Sequence, residues 1–300
     1  MAILKEAIAS AKEASADGGG AVEDRSARRG PGEKRGQTGR SEAGRRDALS
    51  RTIEAEIIPR LMLVHASEEC DSRSERDALP TREEVSELAA LVLEHEVEVA
   101  ASYVAVLRAR GVTLETVFLH LLAPAAQRLD ELWREDKADF CDVTIALSRL
   151  QQLLRELSAP FEAEGEPSAE EKRALLCSAP GETHTFGVAI VEEFLRRAGW
   201  DVACAPGANV AEIGRLAGRD WFDVVGFSLS CEGLLPELAS VIDVVRRRSR
   251  NPRVGVLVGG RYFNEHPESA ALVGADHVAF DGLDAVRKAQ RWAGGVARAR

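Results

Sequence analysis

Residues 174–198 read Ala-Leu-Leu-Cys-Ser-Ala-Pro-Gly-Glu-Thr-His-Thr-Phe-Gly-Val-Ala-Ile-Val-Glu-Glu-Phe-Leu-Arg-Arg-Ala. Ala174 to Ser178 is a short unbroken apolar run, as expected of a strand buried on both faces, and Val188 to Ala198 has helical apolar spacing. The turn between them therefore lies at the carboxyl edge of a parallel sheet, where open α/β folds bind ligands. It holds His184, with Glu182 two residues earlier. A carboxylate there can accept a hydrogen bond from one imidazole nitrogen and leave the other for a metal. A lone loop histidine is more often a surface or capping residue, so the reading depends on what lies further along the chain.

Downstream, the pattern repeats. Strands are expected at 201–204, 223–228, 254–258 and 277–280, separated by helices at 208–218 and 234–248. A turn or short helix spans 265–273, and a last helix starts at 283. Strands alternating with helices predict an α/β, flavodoxin-like doubly wound parallel sheet, with its ligand crevice where the first and third strands diverge. Two more signals end predicted strands. After Gly187 come 40 residues, 188–227, and then Ser228-Leu229-Ser230; after Ser230 come 28 residues, 231–258, and then Gly259-Gly260. Glu182, His184 and Ser228 also have the residue types of a hydrolase triad. Ser228 is not in a Gly-x-Ser-x-Gly elbow, however, and no oxyanion-hole turn follows it, so no autonomous catalysis is expected.

Over residues 172–295 the three motifs, in this order and spacing, resemble the cobalamin-binding domain family, with its Asp-x-His-x-x-Gly, Ser-x-Leu and Gly-Gly. The resemblance implies vitamin B12 as cofactor, bound with its dimethylbenzimidazole tail detached and buried beside the sheet. It implies His184 as the lower axial ligand of cobalt, with Glu182 and Ser228 behind it. Gly187 completes the first motif, and Gly259 and Gly260 give the tail room. Two positions depart from the pattern. Glu182 replaces the usual aspartate and adds a methylene, and Ser230 stands where leucine is usual and makes that wall more polar.

The net charge of −10 argues against general polyanion binding by the folded part, since phosphate contacts need basic surface. Aromatic residues make up 5%, so the cores rest on Leu, Val and Ala. The five scattered cysteines lack metal spacing and read as reduced thiols of a cytoplasmic protein. No run approaches membrane-span length and no secretory h-region opens the chain. Residues 1–50 are expected to be a disordered Arg/Gly-rich extension, because residues 17–46 offer almost no large apolar side chain. Arg25, Arg28, Arg29, Arg45 and Arg46 are among the cations of this arm. It reads either as a weak DNA or acidic-partner contact or as a solvated linker, and interspersed Glu and Asp favour the linker.

Residues 51–158 are expected to form a helical bundle, followed by a linker at 159–171. Ile53, Ile57, Ile58, Leu61 and Val64 follow helical spacing. Thr81-Arg82-Glu83-Glu84 has the form of a capping box opening one periodic segment that Gly111 stops. Leu114 to Glu135, kinked at Pro124, and Phe140 to Leu157 complete the bundle. A bundle before such a domain resembles the cap over the upper corrin face in methionine synthase and in light-dependent cobalamin repressors. The repressors carry tryptophan, nine residues, then Glu-His. Trp133 matches the start and implies a shield over the upper ligand, although core packing is the plainer role for a tryptophan late in a helix. Positions 143 and 144 are Val143 and Thr144, so the Glu-His role is not carried over.

Leu121 to Ala126, Leu132-Trp133, Asp142-Val143-Thr144 and Leu150-Gln151 further resemble the AerR/PpaA group of photosynthesis-gene antirepressors. That resemblance implies a light-responsive regulator binding hydroxo-, adenosyl- or methylcobalamin and acting on a repressor of the CrtJ/PpsR type. Two other functions fit the same layout: a corrinoid carrier subunit of a methyltransferase, and a haem sensor with His184 on iron.

Overall fold

The computed structural model describes residues 79–165 and 172–297, all within one compact unit that spans Leu61–Arg300. The expected N-terminal extension, the helix at 53–64, most of the polar stretch before Pro80 and the linker residues 166–171 lie outside the described residues.

The bundle opens with α1 (Arg82–Glu94), whose start is the expected capping box: Thr81 caps the Glu84 amide and Glu84 returns to the Thr81 amide. The sequence predicts one helix from here to Arg110. The structure instead breaks it at His95 and Glu96, both extended, and resumes as α2 (Val97–Ala109). The two helices form a hairpin: Arg110 pairs with Glu84, and the Tyr103 hydroxyl donates to the Glu84 carbonyl at 3.2 Å. Folding back buries Leu88, Leu91 and Val92 together with Val99, Val104 and Leu107, a gain that one straight helix could not make. Periodicity does not see this break, because the apolar stripe keeps its phase across it.

The third segment runs from Leu114–Thr116 through a π-helical turn, Val117–Leu122, into α3 (Ala123–Arg134). Pro124 stands in the first turn of α3, and the Ala123 amide reaches back five residues to the Phe118 carbonyl. A proline ring clashes with the carbonyl four residues earlier, and the wider π turn accommodates it within a continuous helix. Helix α4 (Phe140–Ala163) starts on an Asp139 cap and continues through Pro160, past the position 159 where the linker is expected to begin. The cause is Phe161, fully buried and stacked on Phe118 with ring centroids 4.4 Å apart.

The second half contains β1 (Lys172–Ser178), α5 (Phe186–Arg197), β2 (Trp200–Ala205), α6 (Val210–Arg219), β3 (Val224–Ser228) and α7 (Leu235–Arg248). It continues with β4 (Gly255–Gly259), α8 (Arg261–Glu265), β5 (His277–Ala279) and α9 (Gly282–Ala297). The sheet order is β2-β1-β3-β4-β5, all parallel, which is the flavodoxin-like winding expected from the alternation. Leu175, Val225, Phe227, Val256 and Val258 bury one face of the sheet against Ile213 of α6 and Leu238, Val241 and Ile242 of α7. The chain passes from β1 to β2 on one side and from β2 back to β3 on the other. The loops after β1 and β3 therefore open beside each other, with Ser178 paired to Ser228 at the strand ends.

The bundle joins the sheet domain through an apolar contact away from that crevice. Phe194 of α5 meets Phe161 edge-on at 5.0 Å and Phe118 at 6.3 Å. Arg197 lies over the Phe161 ring at 4.5 Å and pairs with Glu115 at 2.8 Å.

Candidate functional site

The loop after β1 is folded by its own backbone. Glu182 donates its amide to the Ala179 carbonyl, and Gly181 turns the chain at φ +88°. This aims the Glu182 side chain inward, where it is almost fully buried. One carboxylate oxygen accepts the His184 amide at 2.9 Å and the His184 Nδ1 at 2.6 Å. The other accepts the Ser230 amide at 2.7 Å and the Ser230 hydroxyl. Ser230 Oγ also lies 3.0 Å from His184 Nδ1. A single carboxylate thus binds the β1 loop to the β3 loop through four donors.

Burial alone would push the Glu182 carboxyl up. The side-chain and backbone hydrogen bonds from His184 and Ser230 outweigh it and hold the group at about 2. The same Glu182 contact raises His184 above its ordinary value against partial desolvation, with the Asp130 carboxylate adding to the rise. With Nδ1 committed to Glu182, Nε2 is the outward nitrogen, on a side chain that is half exposed.

Asp130, which the sequence reading does not single out, comes from α3. Its Oδ1 lies 3.5 Å from His184 Nε2, while Oδ2 meets Arg134 at 2.9 Å and Arg261 at 3.4 Å. Arg261 directly follows Gly260 and begins α8. The available signal for Asp130 is its place one helical turn before Trp133. Trp133 itself is 46% exposed, so packing in the bundle core is not its role. Thr144 donates its hydroxyl to the Phe140 carbonyl of its own helix.

The remaining expected residues have other surroundings. Ser228 ends β3 between Ser178 and Gly259, and among the described residues no hydrogen bond joins it to His184; Ser230 makes that contact instead. Two residues further along, the chain has left the strand and turned towards Glu182, whose extra methylene spans the gap. Gly259 and Gly260 are required by the protein's own backbone. A Cβ on Gly259 would stand 2.7 Å from the Ala279 carbonyl oxygen, and one on Gly260, at φ +93°, 2.6 Å from that of Leu229. Their need for glycine therefore does not come only from space for a ligand tail. Gly187 is different, since a Cβ there would meet nothing within 4 Å.

The donor set fits a metal held inside a macrocycle. No group of three His, Cys, Asp or Glu side chains among the described residues could hold an ion by itself. A metal taken by His184 must bring most of its ligands with it. The tether to Glu182 presents Nε2 and fixes the tautomer, as metal-bound histidines require. Among the described residues Ser178 Oγ, fully buried at the end of β1, has no hydrogen-bond partner, so a polar ligand group reaching between the strand ends would satisfy it.

Comparison with known proteins agrees with this geometry. A family model described as the B12 binding domain matches residues 172–289. A Rhodobacter capsulatus protein described as an uncharacterized 20.5 kDa protein in the bchF-crtJ intergenic region is 31% identical over 174 residues, covering 58% of this chain and 90% of the relative. Among solved structures, the monomethylamine corrinoid protein of Methanosarcina barkeri superposes with a TM-score of 0.58 at 14% identity, over 70% of this chain and 98% of that one. At that identity the likeness is one of fold. This chain belongs to the B12-binding domain family: a cobalamin-binding protein whose five-stranded parallel sheet is preceded by a helical bundle.

Proposed function

We propose that the protein is a cobalamin-dependent, light-responsive regulator that acts by binding a transcription factor, with His184 as the lower axial ligand of cobalt. The observation that carries the cofactor role is the four-donor Glu182 carboxylate, which holds Nδ1 and turns Nε2 outward. Cobalt would supply the light-sensitive bond. Glu182 and Ser230 orient the imidazole, and Trp133, exposed on the last turn of α3, is the candidate cover for the opposite face. The regulatory role draws on the R. capsulatus relative, which is named for a gene position beside crtJ. The partner on this reading is a repressor of the CrtJ/PpsR type, reached in the cytoplasm. No helix among the described residues is long and apolar enough to cross a membrane.

The fold likeness to a monomethylamine corrinoid protein favours a second reading, a methyl-group carrier. Visible spectra of the protein with hydroxocobalamin, adenosylcobalamin or haem, in dark and light, separate the readings, together with a methyl-transfer assay on the reduced corrinoid. The expected result is a corrin spectrum that changes on illumination, without methyl transfer. His184→Ala is expected to lose corrin on gel filtration while its circular dichroism is kept, because a half-exposed loop imidazole adds little to packing. Corrin retained at the wild-type level would remove His184 as the ligand.

A further inference from the structure

The charge of −10 that argues against polyanion binding is an average over the whole chain. Residues 246–253 read Arg-Arg-Arg-Ser-Arg-Asn-Pro-Arg, five arginines in eight residues. They end α7 and lead into β4, at the edge of the sheet where the strands begin. The crevice beside His184 opens at the opposite edge.

A basic last turn is ordinary in a helix, whose carbonyl end carries a partial negative charge. Arg246 and Arg247 also have local partners. Arg246 pairs with Asp276 at 2.9 Å and donates to the Val254 and Gly274 carbonyls, and Arg247 pairs with Asp243. Arg248, Arg250 and Arg253 are different. All three are exposed, and among the described residues none forms an ion pair; Arg250 donates to the Arg219 carbonyl at 3.1 Å. Arg250 and Arg253 lie beyond the helix, so its dipole does not account for them.

Helix α6 extends the strip sideways. Gly214 and Gly218, one turn apart on it, let the end of α7 come close: a Cβ on Gly214 would stand 3.4 Å from Arg248 Cδ, and one on Gly218 3.3 Å from the Arg248 carbonyl oxygen. Arg215 and Arg219 follow these glycines, with 71% and 73% of their side chains exposed. Glu212 lies 3.9 Å from Arg215, and Asp220 lies 2.8 Å from Arg219. The Arg219 hydrogen bond, with the charges of Arg219, Arg173 and Arg250, holds the Asp220 carboxyl below its ordinary value. Asp223 is turned to the strand starts, where it accepts the Arg173 amide at 2.9 Å. Glu212, Asp220, Asp243 and Asp276 are thus each matched by a flanking arginine, and the excess charge rests on Arg248, Arg250 and Arg253.

We propose that Arg248, Arg250 and Arg253, flanked by Arg215 and Arg219, form a contact surface for the phosphate backbone of duplex nucleic acid. The chemistry of the strip favours that partner over an acidic protein. Protein interfaces are built around an apolar centre, and residues 246–253 hold no apolar side chain besides Pro252. A phosphate backbone asks only for cations and hydrogen-bond donors, and the guanidinium fork matches phosphate oxygens. Such contacts carry no sequence information, so the binding is salt-dependent and supports a sequence-reading partner rather than replacing it. Repulsion from the acidic remainder of the chain turns this edge toward the duplex and leaves the crevice facing away from it. The surface goes beyond the regulatory role proposed above and does not depend on His184 or on cobalamin.

The test measures anisotropy of a labelled duplex of arbitrary sequence against the full chain across a range of salt concentrations. Wild type is compared with a triple variant, Arg248→Ala, Arg250→Ala and Arg253→Ala, and with the same three positions changed to Lys. Loss of three phosphate contacts should make the slope of log affinity against log salt shallower by about 2–3 and weaken binding about tenfold at low salt. The lysine variant, which keeps the charge, should keep most of the slope. The segment before residue 50 is common to all three chains, so the difference isolates the strip. Corrin retention on gel filtration, unchanged in both variants, shows that the fold is kept. No duplex binding by wild type, or a slope unchanged in the alanine variant, overturns the surface. Tighter binding of a polyglutamate peptide than of the duplex at equal ionic strength overturns the nucleic-acid assignment in favour of an acidic protein.

Discussion

Glu182 shows how much one methylene can change. The family pattern has aspartate at this position, and the longer side chain here reaches donors on two loops at once. Glu182→Gln keeps the size but places an amide nitrogen against one pair of donors. An acceptor is then lost in a buried position, at a cost of about 1–3 kcal/mol. Partners behind a metal-bound histidine change affinity by about 10–100-fold when removed, so cobalamin binding should weaken by that order. Equilibrium dialysis against hydroxocobalamin checks it, and a wild-type affinity would mean that the carboxylate does not orient His184. The presence of Glu182 and His184 was legible in the residues alone, because both lie in one loop. The choice of Ser230 over Ser228 was not, because it depends on how far the chain has turned after leaving β3.

Among the elements, α5 carries a buried carboxylate that its surroundings only partly compensate. Among the described residues Glu193 is buried with its Oε2 unpartnered, on the face towards Ser158 and Glu162 of α4. Burial raises its carboxyl, Glu162 and Glu192 raise it further, and a hydrogen bond with Ser158 and the charge of Arg196 lower it. The folded value stands above the unfolded one. The protonated group therefore contributes stability below about pH 4.5, and that contribution is lost as pH rises through the folded value. Glu193→Gln, neutral at every pH, should stabilise the protein by about 1 kcal/mol at pH 7 and by progressively less towards pH 4. Urea melts at both pH values measure the difference, and an equal shift at both would exclude the ionised carboxylate as the cause. The same helix supplies Phe194 to the aromatic anchor, so the packing that buries Glu193 is also what carries α4 beyond Pro160.

For the whole molecule, the bundle and the sheet domain share an apolar anchor at one place and a polar contact, between Asp130 and His184, at another. Residues 1–48 provide neither an axial ligand nor apolar periodicity beyond the first fifteen residues. Deleting them should leave cobalamin affinity and the corrin spectrum unchanged. If the arm contacts an acidic partner or DNA, that association should weaken most at low salt, where screening is least. Titration of the truncated chain with hydroxocobalamin, beside partner binding at two ionic strengths, checks both statements. Lost corrin binding would assign the segment a part in the site.

The sequence by itself determined the parallel sheet, its strand boundaries to within about two residues, and the loop that bears His184. Strands and helices here are set by local periods of apolar residues, and a motif within one loop keeps its spacing however the chain folds around it. Tertiary structure alone decided the break at His95 and Glu96, the continuation of α4 to Ala163, and the reason Gly259 and Gly260 lack side chains. It alone brought Asp130 and Arg261, 131 residues apart in the chain, to one point beside the histidine. Each of these follows from what a segment packs against, and a linear pattern of residues carries no record of its neighbours in space.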